Sequence, residues 1–271
     1  MPPLGLAYLS VVGAHPVEQI EAAADAGFAT VGLRLVAPRG LALLHDIVSD
    51  IVLQRGIERA LQATGVEIYD VDAITLAADT DVPALARTVE VAAQLGASVV
   101  QVVVEDPDLA RAQARFALLC EMARVRQLAI AVEYMRWRSL RSLAQAAAFV
   151  AGASQPNAFL CLDCLHVSRC GDTTADVAAL PAGAVGYVQL CDASAQMPTT
   201  TDQLLAEARN GRLFPGDGTL PLQDLLDALP ADVPLSLEVP RAIDVDRSVR
   251  ERAGQAFAAM QRFFAQRAAR K

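Results

Sequence analysis

The 271-residue sequence is poor in aromatics, 5% with a single tryptophan, so its hydrophobic content of 54% is aliphatic and alanine-rich. Three histidines are too few for a polynuclear zinc centre. Charge interrupts every long apolar run, despite a mean hydropathy of +0.32, so no membrane span is expected. Basic residues are outnumbered, 23 against 31 acidic ones, for a net charge of −8. Such a surface repels phosphate backbones, and nucleic acid is not expected as a partner. No basic region precedes the apolar stretch of MPPLGLAYLS, so no signal peptide is expected and the protein reads as cytoplasmic. Five cysteines are an odd number, and the CxxC of Cys161 and Cys164 has no second pair to complete a four-cysteine zinc site. They read as reduced, buried thiols.

What the sequence does contain is a repeat. Helical runs that end in glycine and enter a short apolar strand recur along it. VEQIEAAADAGF leads to TVGLRL at 30–35, ERALQATG to EIYDVD at 67–72, and LARTVEVAAQLGA to SVVQVVVE at 98–105. Further strands read at 4–9, 128–133, 159–163, 186–189 and 234–238. Strands alternating with helices imply parallel pairing through crossovers. Eight such units in about 250 residues fit a (β/α)8 TIM barrel. A doubly wound nucleotide fold would show GxGxxG after its first strand, where SVVGAHPVEQ stands instead. No linker divides the chain, so residues 1–271 read as one domain, closed by a helix over 246–267, with the final AARK expected to fray.

Side chains of a barrel strand alternate between the interior and the helix layer. In PLSLE the leucines oppose Ser236 and Glu238; in FLCLD they oppose Cys161 and Asp163; in IAVE, Ile130 and Val132 oppose Ala131 and Glu133. Repeated around the barrel, this parity aims Arg34, Asp72, Glu133, Asp163, Gln189 and Glu238 into the mouth at the C-terminal rim. Buried unpaired carboxylates cost several kcal/mol, and that rim is where such barrels carry their active sites. Glu133, Asp163, Gln189 and Glu238 offer oxygen ligands alone, which suit Mg²⁺ or Mn²⁺ better than Zn²⁺. His166, three residues after Asp163, reads as a residue facing the mouth. His15, close after a strand and just before Pro16, reads equally as a site residue or a structural one, and His45, before Asp46, is most simply near a helix cap.

At these positions the sequence resembles the sugar phosphate isomerase/epimerase superfamily with the xylose isomerase-like barrel. The resemblance is carried in order by AVEYMRW, LDCLHVSRCG, YVQLCDA, ARNGRLFPGDGTLPL and LSLEVP, and spans nearly the whole chain. It implies one divalent metal held by Glu133, Asp163, Gln189 and Glu238, with Glu133 and Glu238 also serving as acid and base. Many members carry histidine where Gln189 stands; hydroxypyruvate-isomerase-like and dehydroshikimate-dehydratase-like members carry glutamine. The resemblance further implies a homo-oligomer and a small sugar-like substrate.

The chemistry expected is isomerisation or epimerisation through an enediolate, which a divalent ion stabilises as a Lewis acid. Carboxylates on either side of the substrate remove and return the proton. Arg34 and Arg212 can hold a substrate carboxylate, phosphate or hydroxyl, with His166 beside them. PGDG at 215–218 reads as a turn that positions Arg212 over the mouth. Trp137 reads either as an apolar wall or as helix packing. A metal-dependent dehydratase of the 3-dehydroshikimate or keto-inositol type uses the same apparatus and stays an alternative; a non-catalytic sugar-binding barrel is a third.

Overall fold

A computed structural model describes residues 3–37, 39 and 43–270. Eight parallel strands close into a barrel in sequence order: β1 (Leu4–Leu6), β2 (Thr30–Arg34), β3 (Glu67–Leu76), β4 (Val99–Val104), β5 (Ala129–Glu133), β6 (Ala158–Asp163), β7 (Val185–Leu190) and β8 (Leu235–Leu237). β1 pairs with β8 through Leu4↔Leu235 and Leu6↔Leu237, which completes the ring. The helices between them are α1 (Pro16–Ala26), α2 (Ile51–Thr64), α3 (Ala86–Gln94), α4 (Leu109–Arg124), α5 (Leu143–Ala153), α6 (Cys164–Cys170), α7 (Thr174–Ala178), α8 (Thr201–Asn210) and α9 (Leu222–Asp227). A long α10 (Val249–Arg270) packs back on α1. No helix among the described residues is long and apolar enough to cross a membrane.

The expected helix–glycine–strand pattern is present, and Gly27, Gly65 and Gly96 all take positive φ, of 103°, 73° and 80°. The other strands lie within a residue of the expectation at each end, and two depart further. β1 stops at Leu6, because Tyr8–Val11 wind into a 3₁₀ turn. β3 runs on to Leu76, past two shifts of register, one against β2 and one against β4. The first shift leaves Tyr69 without a partner on β2. Tyr69 therefore turns inward, where its hydroxyl donates to the Gly186 carbonyl across the barrel at 3.2 Å.

The main core lies between barrel and helices and is built from aliphatic side chains such as Leu33, Ile68, Val102 and Leu162. A separate plug fills the barrel axis: Val99, Ala131, Cys161 and Tyr187, with Tyr69 and Ala129 against it. Two residues further along the same strands, on the same parity, stand Gln101, Glu133, Asp163 and Gln189. The apolar plug thus forms a dry base on which a polar layer rests. All five cysteines are free; Cys170 is half-buried and the others are buried.

Candidate active site

The polar layer is a connected network. Glu133 ends β5, Asp163 ends β6, Gln189 lies in β7 and Glu238 follows β8; all are buried. Gln101 of β4 donates to Glu133 Oε2 at 2.8 Å, and Gln189 Nε2 donates to Glu238 Oε1 at 2.9 Å. Gln189 Oε1 accepts from Gln101 at 3.4 Å and from the Cys161 thiol at 3.4 Å. Each glutamate is therefore held by one amide N–H. Asp163 caps α6, accepting from the amides of Leu165 at 2.8 Å and His166 at 3.1 Å.

Arg212 enters this layer from the loop after α8. Its guanidinium pairs with Asp163 and, at 3.0 Å, with Glu238 Oε2, while Nε donates to the Ala208 carbonyl at 2.9 Å. The side chain is thus buried at the floor of the mouth and not laid over it. The turn that holds it is organised by Asp192, whose carboxylate accepts four backbone amides, from Ala193, Gly216, Gly218 and Leu220, at 2.9–3.1 Å. A Cβ at Gly218 would lie 2.4 Å from the Ala193 carbonyl oxygen, so only glycine permits that approach.

Burial pushes the Glu133 and Glu238 carboxyls well above their usual range, and the neighbouring Asp163 charge adds to it. Burial acts the same way on Asp163, but the Arg212 charge and then His166 outweigh it and hold that carboxyl low. His166 is pushed down to about 4 by burial, against the pull of Asp163. Its Nε2 lies 3.4 Å from Glu133 Oε1. One donor atom each from Glu133, Asp163 and His166 fall within 4.8 Å of one another, a spacing that could hold a metal ion. Ionised, Glu133, Asp163 and Glu238 bring three negative charges against the single positive charge of Arg212. The two left over match a divalent cation in sign and size, so this donor set fits one. His166 adds a nitrogen to what the sequence presents as an oxygen-only set.

Above the floor opens a cavity of about 300 Å³ lined by Arg34, Asp72, Glu133, His166, Arg212 and Glu238, among others. Arg34 pairs with Asp72 and stacks over the Tyr8 ring at 4.3 Å. Trp137 lines the cavity and meets His166 edge-on, ring centroids 5.1 Å apart. His45 packs against His15 at 5.0 Å, while Asp50 caps α2. The residues singled out in the sequence thus converge in one place, Asp163 and Gln189 lying beneath the others. Gln101 and Asp192 help build this network and its turn, and the sequence reading left them without a role. The first had a legible signal, a lone amide on the inward parity of a valine strand; the backbone contacts of Asp192 had none.

A family model described as xylose isomerase-like TIM barrel matches residues 20–264. No curated protein matches the chain by sequence. Among solved structures, a xylose isomerase-like TIM barrel/4-hydroxyphenylpyruvate dioxygenase fusion protein is 22% identical with a TM-score of 0.83. The alignment covers 99% of this chain and 44% of that one, so the chain spans less than half of the fusion protein's length. An IolI protein determined with a binding zinc atom is 16% identical, covered over 97% of this chain and 98% of that one, with a TM-score of 0.81. A D-allulose 3-epimerase from Methylomonas sp. is 20% identical, with 98% of each chain covered and a TM-score of 0.69. At these identities the likeness is one of fold.

Proposed function

The chain belongs to the xylose isomerase-like TIM barrel family, and from that membership and its site we propose a divalent-metal-dependent isomerase or epimerase. Its substrate is a small sugar-like polyhydroxy carbonyl compound. The observation that carries the reading is the placement of Glu133 and Glu238. Both are buried, both border the same cavity, and they stand on strands separated by those of Asp163 and Gln189. Two carboxylates flanking one substrate carbon can take a proton on one face and return it on the other.

Glu133, Asp163, Gln189 and Glu238 would hold the metal, with His166 a further candidate. When bound it supplies Lewis-acid charge for the enediolate that proton removal creates. The remaining steps belong to the chain. Glu133 Oε2 is fixed by Gln101, which leaves Oε1 to accept the proton. Glu238 has Oε1 on Gln189 and Oε2 on Arg212, which fix its carboxyl in place for the return of the proton. Trp137 gives the cavity an apolar wall beside His166.

The epimerase and the zinc-bearing IolI protein among the fold relatives support this reading. Manganese or magnesium follows from the oxygen donors, and His166 brings zinc closer to them in preference. A second reading, loss of water from the same enediolate, is favoured by Gln189 and by Glu133 Oε1. That oxygen, carrying the abstracted proton, can pass it to a departing β-hydroxyl. The protein working as a homo-oligomer in the cytoplasm is part of the proposal. A metal-supplemented screen of ketoses, keto-inositols and dehydroshikimate, followed by NMR in D₂O, tests it. Deuterium entering next to a carbonyl supports the reading, and a new conjugated ultraviolet absorbance identifies the dehydratase. Failure of every substrate to exchange under Mn²⁺, Mg²⁺ and Zn²⁺ contradicts both.

A further inference from the structure

Two of the three histidines in the chain meet at the rim, outside the site described above. His15 stands at the N-cap of α1, and His45 in the segment between β2 and α2. Their ring centres lie 5.0 Å apart with the planes at 75°. Both backbones are fixed. His15 precedes Pro16, the first residue of α1, and is held extended, with φ −66° and ψ 136°. The His45 carbonyl accepts from the Ile47 amide at 3.0 Å; Ile47 is buried, and Gln54 of α2 donates to its carbonyl at 2.7 Å.

The rings themselves are tied to nothing but each other. The His15 side chain does not cap α1, and neither ring makes a hydrogen bond or ion pair among the described residues. His15 is exposed and His45 half-buried, so both are within reach of a solute. Burial, and then the neighbouring His15, lower the His45 pKa, which keeps its lone pair free at neutral pH. Two imidazoles that share a tetrahedral ion, each with its nitrogen about 2.0–2.1 Å away, hold their ring centres roughly 5 Å apart. The observed spacing is that of such a chelate. The surroundings suit a cation, with Glu18 in the first turn of α1 and Asp46 next to His45, while the Arg252 guanidinium is turned to the Val11 and Val12 carbonyls.

We propose that His15 and His45 form a second metal site, separate from the floor of the cavity, for one nitrogen-preferring transition-metal ion such as Zn²⁺, Ni²⁺ or Cu²⁺. Among the described residues no Cys, Asp or Glu completes a group of three with them, so water fills the remaining positions. Imidazole ligands without a carboxylate select these ions over Mg²⁺ and Mn²⁺. The rim and the floor therefore sort metals differently. An ion here ties the turn after β1 to the segment after β2. Leu9 and Val12 on the first, and Arg34 at the end of the strand before the second, line the cavity, so occupancy stiffens that side of the mouth. The site does not depend on the function proposed above.

The test follows histidine ring signals in ¹⁵N-correlated NMR of the untagged full chain at pH 7.5, with Zn²⁺ and Mg²⁺ as probes. Three histidines make three ring signals, assigned with His15→Gln, His45→Gln and His166→Gln. Zn²⁺ is expected to move the His15 and His45 signals together, with one midpoint, and Mg²⁺ to leave both in place. In His45→Gln the His15 signal should need at least about tenfold more Zn²⁺ to move, and His15→Gln should do the same to His45. Asp163→Ala removes a residue of the floor and should leave the response of the pair unchanged. No movement of the pair up to millimolar Zn²⁺ overturns the proposal. So does movement of one ring that is indifferent to loss of the other, and so does a response that disappears in folded Asp163→Ala, which assigns it to the floor. His15 is exposed, so its variant keeps the fold, and the wild-type titration decides even where another variant does not.

Discussion

Replacing Asp70 with asparagine is expected to stabilise the protein, and by more as the pH rises. Asp70 sits inside the barrel on β3, paired with Gly32 of β2, and is 1% exposed. A Cβ at Gly32 would lie 2.9 Å from both carboxylate oxygens, so glycine makes the room that the acid occupies. No other side chain donates to it among the described residues. Burial, and then the charge of Asp72, push its carboxyl from 3.8 up to about 7. The folded protein therefore holds a proton that the unfolded chain has released. Between those two values each pH unit lowers stability by about 1.4 kcal/mol, and above the folded value the loss stays constant. The shift of about three units corresponds to roughly 4 kcal/mol. Asparagine never ionises, but it leaves amide groups unsatisfied at a cost of about 1–3 kcal/mol. The net gain is then roughly 1–3 kcal/mol at pH 8 and a small loss at pH 4–5. Urea unfolding of wild type and Asp70→Asn at pH 5 and pH 8 measures it. A difference that is the same at both pH values would refute the reasoning, as would one that shrinks as the pH rises.

Other expectations follow from the floor of the cavity. Glu133→Gln and Glu238→Gln should keep the fold, since Gln101 and Gln189 still find an oxygen to donate to, while turnover falls by roughly 10²–10⁴-fold in steady-state assays. Gln189→Glu sets a carboxylate where an amide N–H met Glu238 at 2.9 Å. Calorimetry should show weaker metal-free stability, tighter metal binding and, on an established substrate, a shifted pH optimum. Arg212→Met leaves buried Asp163 and Glu238 without their cation, a loss of about 3–5 kcal/mol in denaturant titration that added metal should reduce. Because burial keeps protons on Glu133 and Glu238 above their usual range, metal must displace them. Titrations in buffers of different ionisation heat should show proton release, and affinity that rises with pH.

Much of this site was legible in the sequence because a barrel strand has a period of two. Once Leu160 and Leu162 are assigned to the helix layer, Asp163 has to face the axis, and the same holds for Glu133 and Gln189. Where the period breaks, legibility ends. The register shift near Tyr69 lets Tyr69 and Asp70 both occupy the interior, which no alternation rule allows. Arg212 was visible as a cation near a PGDG turn, yet its depth depends on four amides that Asp192 gathers from segments up to 28 residues away.

The central claim is that a divalent cation completes the charge balance of Glu133, Asp163 and Glu238. Its most direct test is calorimetric titration of Mn²⁺ into metal-free wild type and Asp163→Ala, with elemental analysis of both. One ion per chain in the wild type, lost or greatly weakened in the variant, is the result expected. No uptake by the wild type, or the same uptake by Asp163→Ala, would contradict the account.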